Sequence, residues 1–403
     1  MNILFLTIGR IDSIEAHGIY PDILRQIRDK GHSVYIVSQR ERRLDLQTEL
    51  RKENGSHMLF VRTGNITKSN LIEKGISTLL IEGQYFRAIK QYFHNVRFDL
   101  IIYSTPPITL AGVVKKIKKR DGAKSYLLLK DIFPQNAVDL GMMSQSGVKG
   151  LLYKYFRKKE KELYFLSDRI GCMSQANIDY ILNHNPEISK EKVEVCPNCI
   201  EVQDIRLRDE ERLLMRSKYN LPHDKRIFVY GGNLGRPQDV SFIVNCLKRC
   251  AKVPNVYFVI AGSGTDRHLI ETYVKEENPS HVKLFGQLAK DEYDKMIACC
   301  DVGLIFLDHR FTIPNFPSRL LSYMQAGLPV LACTDPNTDI GDVITEGEFG
   351  SWCESDDVEK FAQHVHEKLS KDLSVVSRNS YMFLKENYDA EKVYRKILDF
   401  ADS

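Results

Sequence analysis

At 403 residues the chain is too long for one ordinary core and is sized for two domains. Its 43% hydrophobic and 27% charged residues exclude a disordered or fibrous chain. The net charge of +4 is too small to imply nucleic acid as a partner, and nine scattered cysteines read as reduced thiols of a cytoplasmic protein.

The opening run "MNILFLTIG" lacks the basic segment of a secretory signal. The apolar stretch 71–93 is broken by Glu73, Lys74, Glu82, Arg87 and Lys90, so no membrane span is expected. In the first half, apolar runs at 3–9, 34–38, 58–61, 100–104, 126–131, 169–174 and 193–198 are nearly continuous, as in strands covered on both faces. Helix-period segments lie between them, such as "YPDILRQIRDKGH" (20–32) with Gly31 at its end. That alternation predicts right-handed crossovers and a parallel sheet. A charged stretch around 201–224 interrupts the pattern, and a second series follows at 227–232, 257–262, 282–286, 302–307 and 329–333.

Two doubly wound α/β domains are therefore expected, 1–203 and 204–387, with a final helix in 388–403 that packs on either. Two such parallel sheets facing one another would leave a cleft at the carboxyl ends of their strands, where ligands of open sheets bind.

Glycines in "YGGNLGRPQDV" (230–240) stand between a strand and a helix, where backbone amides approach a phosphate and Arg236 adds charge. A tight turn without ligand accounts for the same glycines equally well. "AGSGTD" (261–266) reads as structural. In "PNFPSRLLSYMQAGLPVLA" (314–332), Pro317 opens a helix, Ser318 is placed to cap it, and Arg319 stands beside any anion bound there. An ordinary capped amphipathic helix accounts for that pattern too. "CPNC" (196–199) has metal or redox spacing but no second ligand pair. No carboxylate pair is spaced for glycoside hydrolysis. Cations cluster at 115–124 and, interleaved with aromatics, in "KGLLYKYFRKKEKELYF" (149–165); a solvated helix face or an anionic membrane surface fits.

Taken together, "GIYPDILRQIRDKGHSVYIVS", "KDIFPQNAVDLGMM", "VEVCPNCIEV", "VYGGNLGRPQDV", "VKLFGQL" and "FPSRLLSYMQAGLPVLA" resemble glycosyltransferase family 4, of GT-B architecture. They are most similar to the branch holding bacterial fucosamine transferases of O-antigen and capsule synthesis. The resemblance implies a retaining transferase that moves an N-acetylated or deoxy amino sugar from a nucleoside diphosphate, UDP foremost, to a polyprenyl-diphosphate-linked saccharide. It would work at the inner face of the cell membrane, without a metal or other cofactor.

By position, Gly232, Asn233, Gly235, Arg236, Ser318 and Arg319 would hold the diphosphate, with Gln287 and Leu288 against the base and Ser322 also on the donor side. Asp131 matches an acidic position near the reacting sugar. His17, Gly18, Lys130 and Asn136 fall on the acceptor side, Lys130 where many relatives carry histidine. The chain departs from the family where Ser322 and Pro314 replace two glutamates, one of them a ribose ligand. Because the leaving phosphate itself serves as base in the mechanism the family implies, that departure touches binding more than chemistry. A non-catalytic transferase-like subunit and a GT-B sugar-nucleotide epimerase remain as alternatives.

Overall fold

All seven apolar runs of the first half become strands: β1 (Asn2–Leu6), β2 (Ser33–Glu41), β4 (Ser56–Thr63), β5 (Leu100–Ser104), β6 (Lys124–Leu129), β7 (Arg169–Cys172) and β8 (Val193–Val195). An eighth, β3 (Glu49–Glu53), was not signalled by hydrophobicity. The sheet runs β3-β4-β2-β1-β5-β6-β7-β8. Neighbours are parallel, as expected, except that the edge strand β3 lies antiparallel to β4. The sequence of β3, Glu-Leu-Arg-Lys-Glu, suits an edge: it has one partner, no buried residue, and charges that discourage pairing with another chain.

The computed structural model describes residues 1–66 and 71–403, without the side chains of Leu71, Ile72, Lys74, Val148 and Lys149. Around the first sheet lie α1 (Pro21–Asp29), α2 (Leu71–Tyr92), α3 (Ala111–Asp121), α4 (Gln135–Asp139), α5 (Gly147–Leu166) and α6 (Gln175–His184).

The second unit, Val202–Tyr388, has a six-stranded parallel sheet. Its strands are β9 (Arg226–Asn233), β10 (Val256–Ser263), β11 (Val282–Phe285), β12 (Val302–Phe306), β13 (Val330–Thr334) and β14 (Gly350–Glu354), in the order β11-β10-β9-β12-β13-β14. The helices are α7 (Asp209–Lys218), α8 (Val240–Arg249), α9 (Arg267–Glu277), α10 (Lys290–Ala298), α11 (Arg319–Gln325), α12 (Ile340–Glu346), α13 (Val358–Ser370) and α14 (Ser374–Asn387). Phe228, Phe258, Leu304 and Phe306 of the sheet pack under Phe242 and Leu247 of α8 and Phe361 and Val365 of α13.

From Val202 on, the charged stretch that interrupts the pattern is part of this second unit. From α7, Arg216 and Arg212 both reach the buried carboxylate of Asp301, Arg216 at 2.7 Å. Asp301 also accepts the Ile227 amide at 2.6 Å, so two cations on α7 are fastened to the amino end of β9.

The chain then returns to the first unit, Met1–Glu201 with Asp389–Ser403. Its last helix, α15 (Ala390–Asp402), lays Val393, Tyr394 and Ile397 on Ile23, Leu24 and Ile27 of α1, over Phe5 and Ile36 of the sheet. Lys396 and Lys124 anchor it through hydrogen bonds to Val195 O and Ala401 O, both 3.0 Å.

Candidate active site

In the second unit the candidate donor residues gather at the carboxyl edge of β9. Gly232 adopts a φ of 135°, open to glycine, and pairs in register with Gly262 at 153°. A Cβ on Gly262 would lie 1.9 Å from Gly232 O, and one on Gly264 2.2 Å from Leu234 O. The second glycine pair thus serves the close approach of the two chains where β9 and β10 end.

Above that support the Gly232 turn is exposed, and Arg319 lies against it. A Cβ on Gly232 would be 3.3 Å from Arg319 Nη2. The guanidinium carbon stands 4.4 Å from the Tyr230 ring centroid. Tyr323, one turn along α11, donates to Leu304 O at 3.0 Å and accepts the Gly231 amide at 3.1 Å. Tyr293 fills the space where Gly231 would carry a Cβ. Arg319 therefore sits among tyrosines, its Nη1 is buried without a hydrogen-bond partner, and among the described residues no carboxylate pairs with it.

Arg25, Arg216 and Arg310 are neutralised by Asp22 with Glu201, by Asp301, and by Asp308. A cation held in place and left uncompensated is suited to a bound anion.

Ser318 is exposed at the start of α11, but its side chain makes no capping bond, contrary to the expectation that it caps the helix. Its hydroxyl is left directed by nothing in the helix itself. Ser322 lies on the same helix, half-buried, and Pro314 is buried in the preceding loop. Asn233 donates to Gln238 Oε1 at 2.7 Å and accepts Tyr230 OH at 2.5 Å on its carbonyl, which shapes the turn around buried Gly235. Arg236 follows, exposed. Gln287 is exposed beyond β11, within 3.3 Å of Oγ of Ser263, the last residue of β10, and Leu288 beside it is half-buried. The strand order brings these turns to one edge of one sheet, though Gly232, Gln287 and Ser318 lie far apart along the chain.

One residue the sequence did not single out is Asp335, at the end of β13. It is fully buried, and its Oδ1 accepts the amides of Asn337 and Thr338 at 2.9 and 3.2 Å. Those two residues donate to Phe311 O and Asn315 O, both at 2.6 Å, so Asp335 sets the course of the loop leading to Arg319. Its Oδ2 has no partner, and burial pushes its pKa up to about 6.

In the first unit the corresponding edge is organised by Thr105, another residue that sequence reading missed. Its hydroxyl accepts the amides of Lys130 and Asp131 at 2.9 and 3.2 Å and aligns the turn after β6. The Asp131 carboxylate receives Asn136 Nδ2 on both oxygens, at 2.8 and 2.9 Å. Burial raises the Asp131 pKa to about 6, against the opposing bonds from Asn136 and the Ile132 amide. Lys130 points away from solvent to Cys196 O at 3.0 Å, and burial lowers its pKa. It secures the 196–199 turn, whose cysteines are buried free thiols. Ser104 continues the edge, donating to Thr7 Oγ1 at 3.2 Å, which in turn accepts the Gly9 amide at 2.9 Å.

His17 and Gly18 lie on the loop after β1. His17 is exposed with Nδ1 3.9 Å from Asp22, and the Gly18 amide donates to the same carboxylate at 3.0 Å. Arg25 organises this loop by donating to Ile14 O and Ala16 O, both at 2.6 Å. Among the described residues two groups have metal-like spacing, His17 with Asp22 and Glu201, and Asp239 with Asp308 and His309. In the first, Asp22 and Glu201 both pair with Arg25; in the second, Asp308 pairs with Arg310 and Asp239 accepts the Phe242 amide.

The family "Glycosyl transferases group 1" matches residues 211–387. The probable glycosyltransferase WbjE of Pseudomonas aeruginosa is 24% identical over 327 residues, 80% of this chain and 78% of the relative. A putative colanic acid biosynthesis glycosyl transferase, WcaI of Escherichia coli K12, is 20% identical over 244 residues, 60% of this chain and 59% of its own. Among solved structures, sucrose-phosphate synthase from Thermosynechococcus elongatus aligns over 100% of both chains with a TM-score of 0.76 at 16% identity. Anabaena HepE in complex with UDP aligns over 100% of both with a TM-score of 0.67 at 12% identity. The fold is that of the GT-B glycosyltransferases, and the chain is a transferase enzyme.

Proposed function

We propose that the protein is a retaining glycosyltransferase of family 4, similar to the fucosamine-transferase branch, acting in bacterial surface-polysaccharide assembly. Its donor is a UDP-linked N-acetylated or deoxy amino sugar, and its acceptor a polyprenyl-diphosphate-linked saccharide presented at the cytoplasmic face of the membrane. The observation that carries the reading is Arg319, uncompensated beside the exposed Gly232 turn. The relatives' names, which include colanic acid biosynthesis, support a polysaccharide role, and the bound UDP of HepE supports the nucleotide.

In this reaction the bond between the anomeric carbon and the UDP β-phosphate oxygen breaks, and a bond from that carbon to an acceptor oxygen forms on the same face. The acceptor's proton passes to the leaving phosphate. Arg319 and the amides around Gly232 and Ser318 stabilise charge on the departing diphosphate, which does not require carboxylates at 314 or 322. Gln287 and Leu288 contact the base, and Arg236 adds charge near the phosphates. Asp131, fixed by Asn136 and Thr105, orients the acceptor from the first unit, with His17, Gly18 and Lys130 shaping that side.

The membrane reading draws on α5. Leu151 is 68% exposed, Leu152 50% and Tyr155 39%, beside exposed Lys154 and Lys158. Arg157, Lys159 and Lys161 are paired with Glu160, Glu162 and Glu187, which leaves fewer free cations than the sequence suggests. The Lys149 side chain lies outside the described residues. No described helix is long and apolar enough to cross a membrane.

The deciding experiment is release of UDP from radiolabelled UDP-sugars with a membrane extract as acceptor source. Sugar transferred to lipid with loss of UDP supports the reading; hydrolysis or epimerisation alone would sink it.

A further inference from the structure

The first unit holds a cavity of about 690 Å³ at the carboxyl end of β4, away from the Asp131 turn. Arg62 and Thr63 of β4 form one wall, and Ile76, Ser77, Leu80 and Gln84 of α2 the other, with Arg42 at the rim. Its volume is in the range of sites for small organic ligands. The carboxyl edge of a parallel sheet is also where such sites occur.

The chemistry of the walls is specific. Gln84 Oε1 is buried with no hydrogen-bond partner, an acceptor short of a donor. Arg42 is held by Glu73 at 3.1 Å, and Glu73 in turn takes Asn65 Nδ2 at 2.7 Å, so that guanidinium is oriented and its charge balanced. Among the described residues the one carboxylate beside Arg62 is Asp45, at 3.7 Å, and the Asp45 side chain is 95% exposed. A pair so loose and so wet contributes little. Among the described residues of the walls, two arginines against one glutamate give +2 − 1 = +1, centred on Arg62. Ile76 and Leu80, 55% and 53% exposed, add aliphatic surface for the C–H face of a ring.

A cation, a hydrogen-bond acceptor and an aliphatic face together suit a hydroxyl-rich anion. We propose that this cavity is the acceptor subsite and that it takes a glycosyl phosphate, Arg62 meeting the phosphate and Gln84 Oε1 accepting from a ring hydroxyl. The assignment rests on the reading that the first unit handles the acceptor. It names the group recognised: the sugar carrying the phosphate link, rather than the remote end of the glycan. The phosphate could come from a soluble sugar phosphate or from the head of a diphosphate-linked lipid.

Calorimetry on the full chain separates these cases, with N-acetylglucosamine 1-phosphate, its farnesyl diphosphate conjugate, free N-acetylglucosamine and inorganic phosphate as probes and UDP as a reference. The sugar phosphate should bind more tightly than either free sugar or phosphate. Arg62→Gln and Gln84→Leu should each weaken it about tenfold or more, with UDP binding and the circular dichroism melting curve unchanged. Arg62→Lys should fall between Gln and the native residue. Tighter binding of the farnesyl conjugate identifies the lipid head as the source, and equal binding identifies the soluble phosphate. Binding of inorganic phosphate as tight as that of the sugar phosphate, insensitivity to both substitutions, or no binding of any sugar phosphate overturns the assignment. Loss of UDP binding in the native protein, with the cavity still occupied, would overturn the donor reading alone.

Discussion

Arg319 holds its guanidinium carbon 4.4 Å over the ring of Tyr230, one helix and one strand of the same unit meeting at a cation and an aromatic face. The contact fixes the side chain without neutralising it, since a ring quadrupole orients a cation but leaves its charge available. With Tyr293 packed against Gly231, nothing larger than glycine fits on the facing strand.

Arg319→Ala should therefore weaken UDP binding by about 1–3 kcal/mol, as expected for a charge-assisted contact to a desolvated phosphate. Arg319→Lys should recover only part of it, because an ammonium lacks the fork and the stacking on Tyr230. Titration calorimetry with UDP measures both. Unchanged affinity in the alanine variant would remove Arg319 from the site.

Asp131→Asn should depress turnover with little change in the UDP dissociation constant, because Asp131 and the nucleotide residues belong to different units. The pH dependence carries a second signature. Burial raises the Asp131 pKa to about 6 from an ordinary 3.8, so turnover that depends on its ionised form should rise through about pH 6 and level off above it. For stability the sign is opposite. A carboxyl whose folded pKa is raised favours folding fully below pH 3.8, and that contribution is lost as pH rises through 6. Asp131→Asn should thus gain stability relative to the native chain between about pH 4 and pH 8, measured by urea unfolding at both values.

Asp301 is shared by Arg212, Arg216 and the Ile227 amide. Its replacement by Ala leaves the buried Arg216 and the partly buried Arg212 on α7 without their partner. We expect a loss of about 3 kcal/mol from the second unit. A fall in melting temperature with UDP affinity retained in the folded fraction is the expected result. A melting temperature equal to that of the native chain would mean that α7 is held by its other contacts.

At the membrane, Lys154→Gln with Lys158→Gln should release the protein from anionic liposomes, and added salt should do the same. Leu151→Ser should weaken attachment to anionic vesicles without altering its salt dependence. Equal sedimentation with neutral and anionic vesicles would leave α5 an ordinary solvated face.

The strands buried on both faces were legible because a short, continuous apolar run between turn residues suits a strand with both faces covered. β3 and β14 were not, and for different reasons. β3 is a charged edge strand with no buried residue, and "GSWCE" of β14 is short and mixed, its place on the sheet decided by pairing with β13. Glycine turns stood out because they interrupt strand ends. Thr105 and Asp335 did not, since a threonine before two prolines and an aspartate in a loop acquire their roles only from the amides that fold back onto them.

What the sequence by itself determined is the alternation of strand and helix, the break in the charged stretch before β9, and the set of turns at strand ends, all of which follow from local periodicity and backbone freedom. Tertiary structure alone decided that α15 returns to α1, since its apolar stripe suits more than one surface. It alone decided which charges are spent: Arg25, Arg216 and Arg310 find carboxylates, in the first two cases remote in sequence, and Arg319 finds a tyrosine ring. Composition counts charges, but their compensation depends on distances of a few ångströms between segments that only folding brings together.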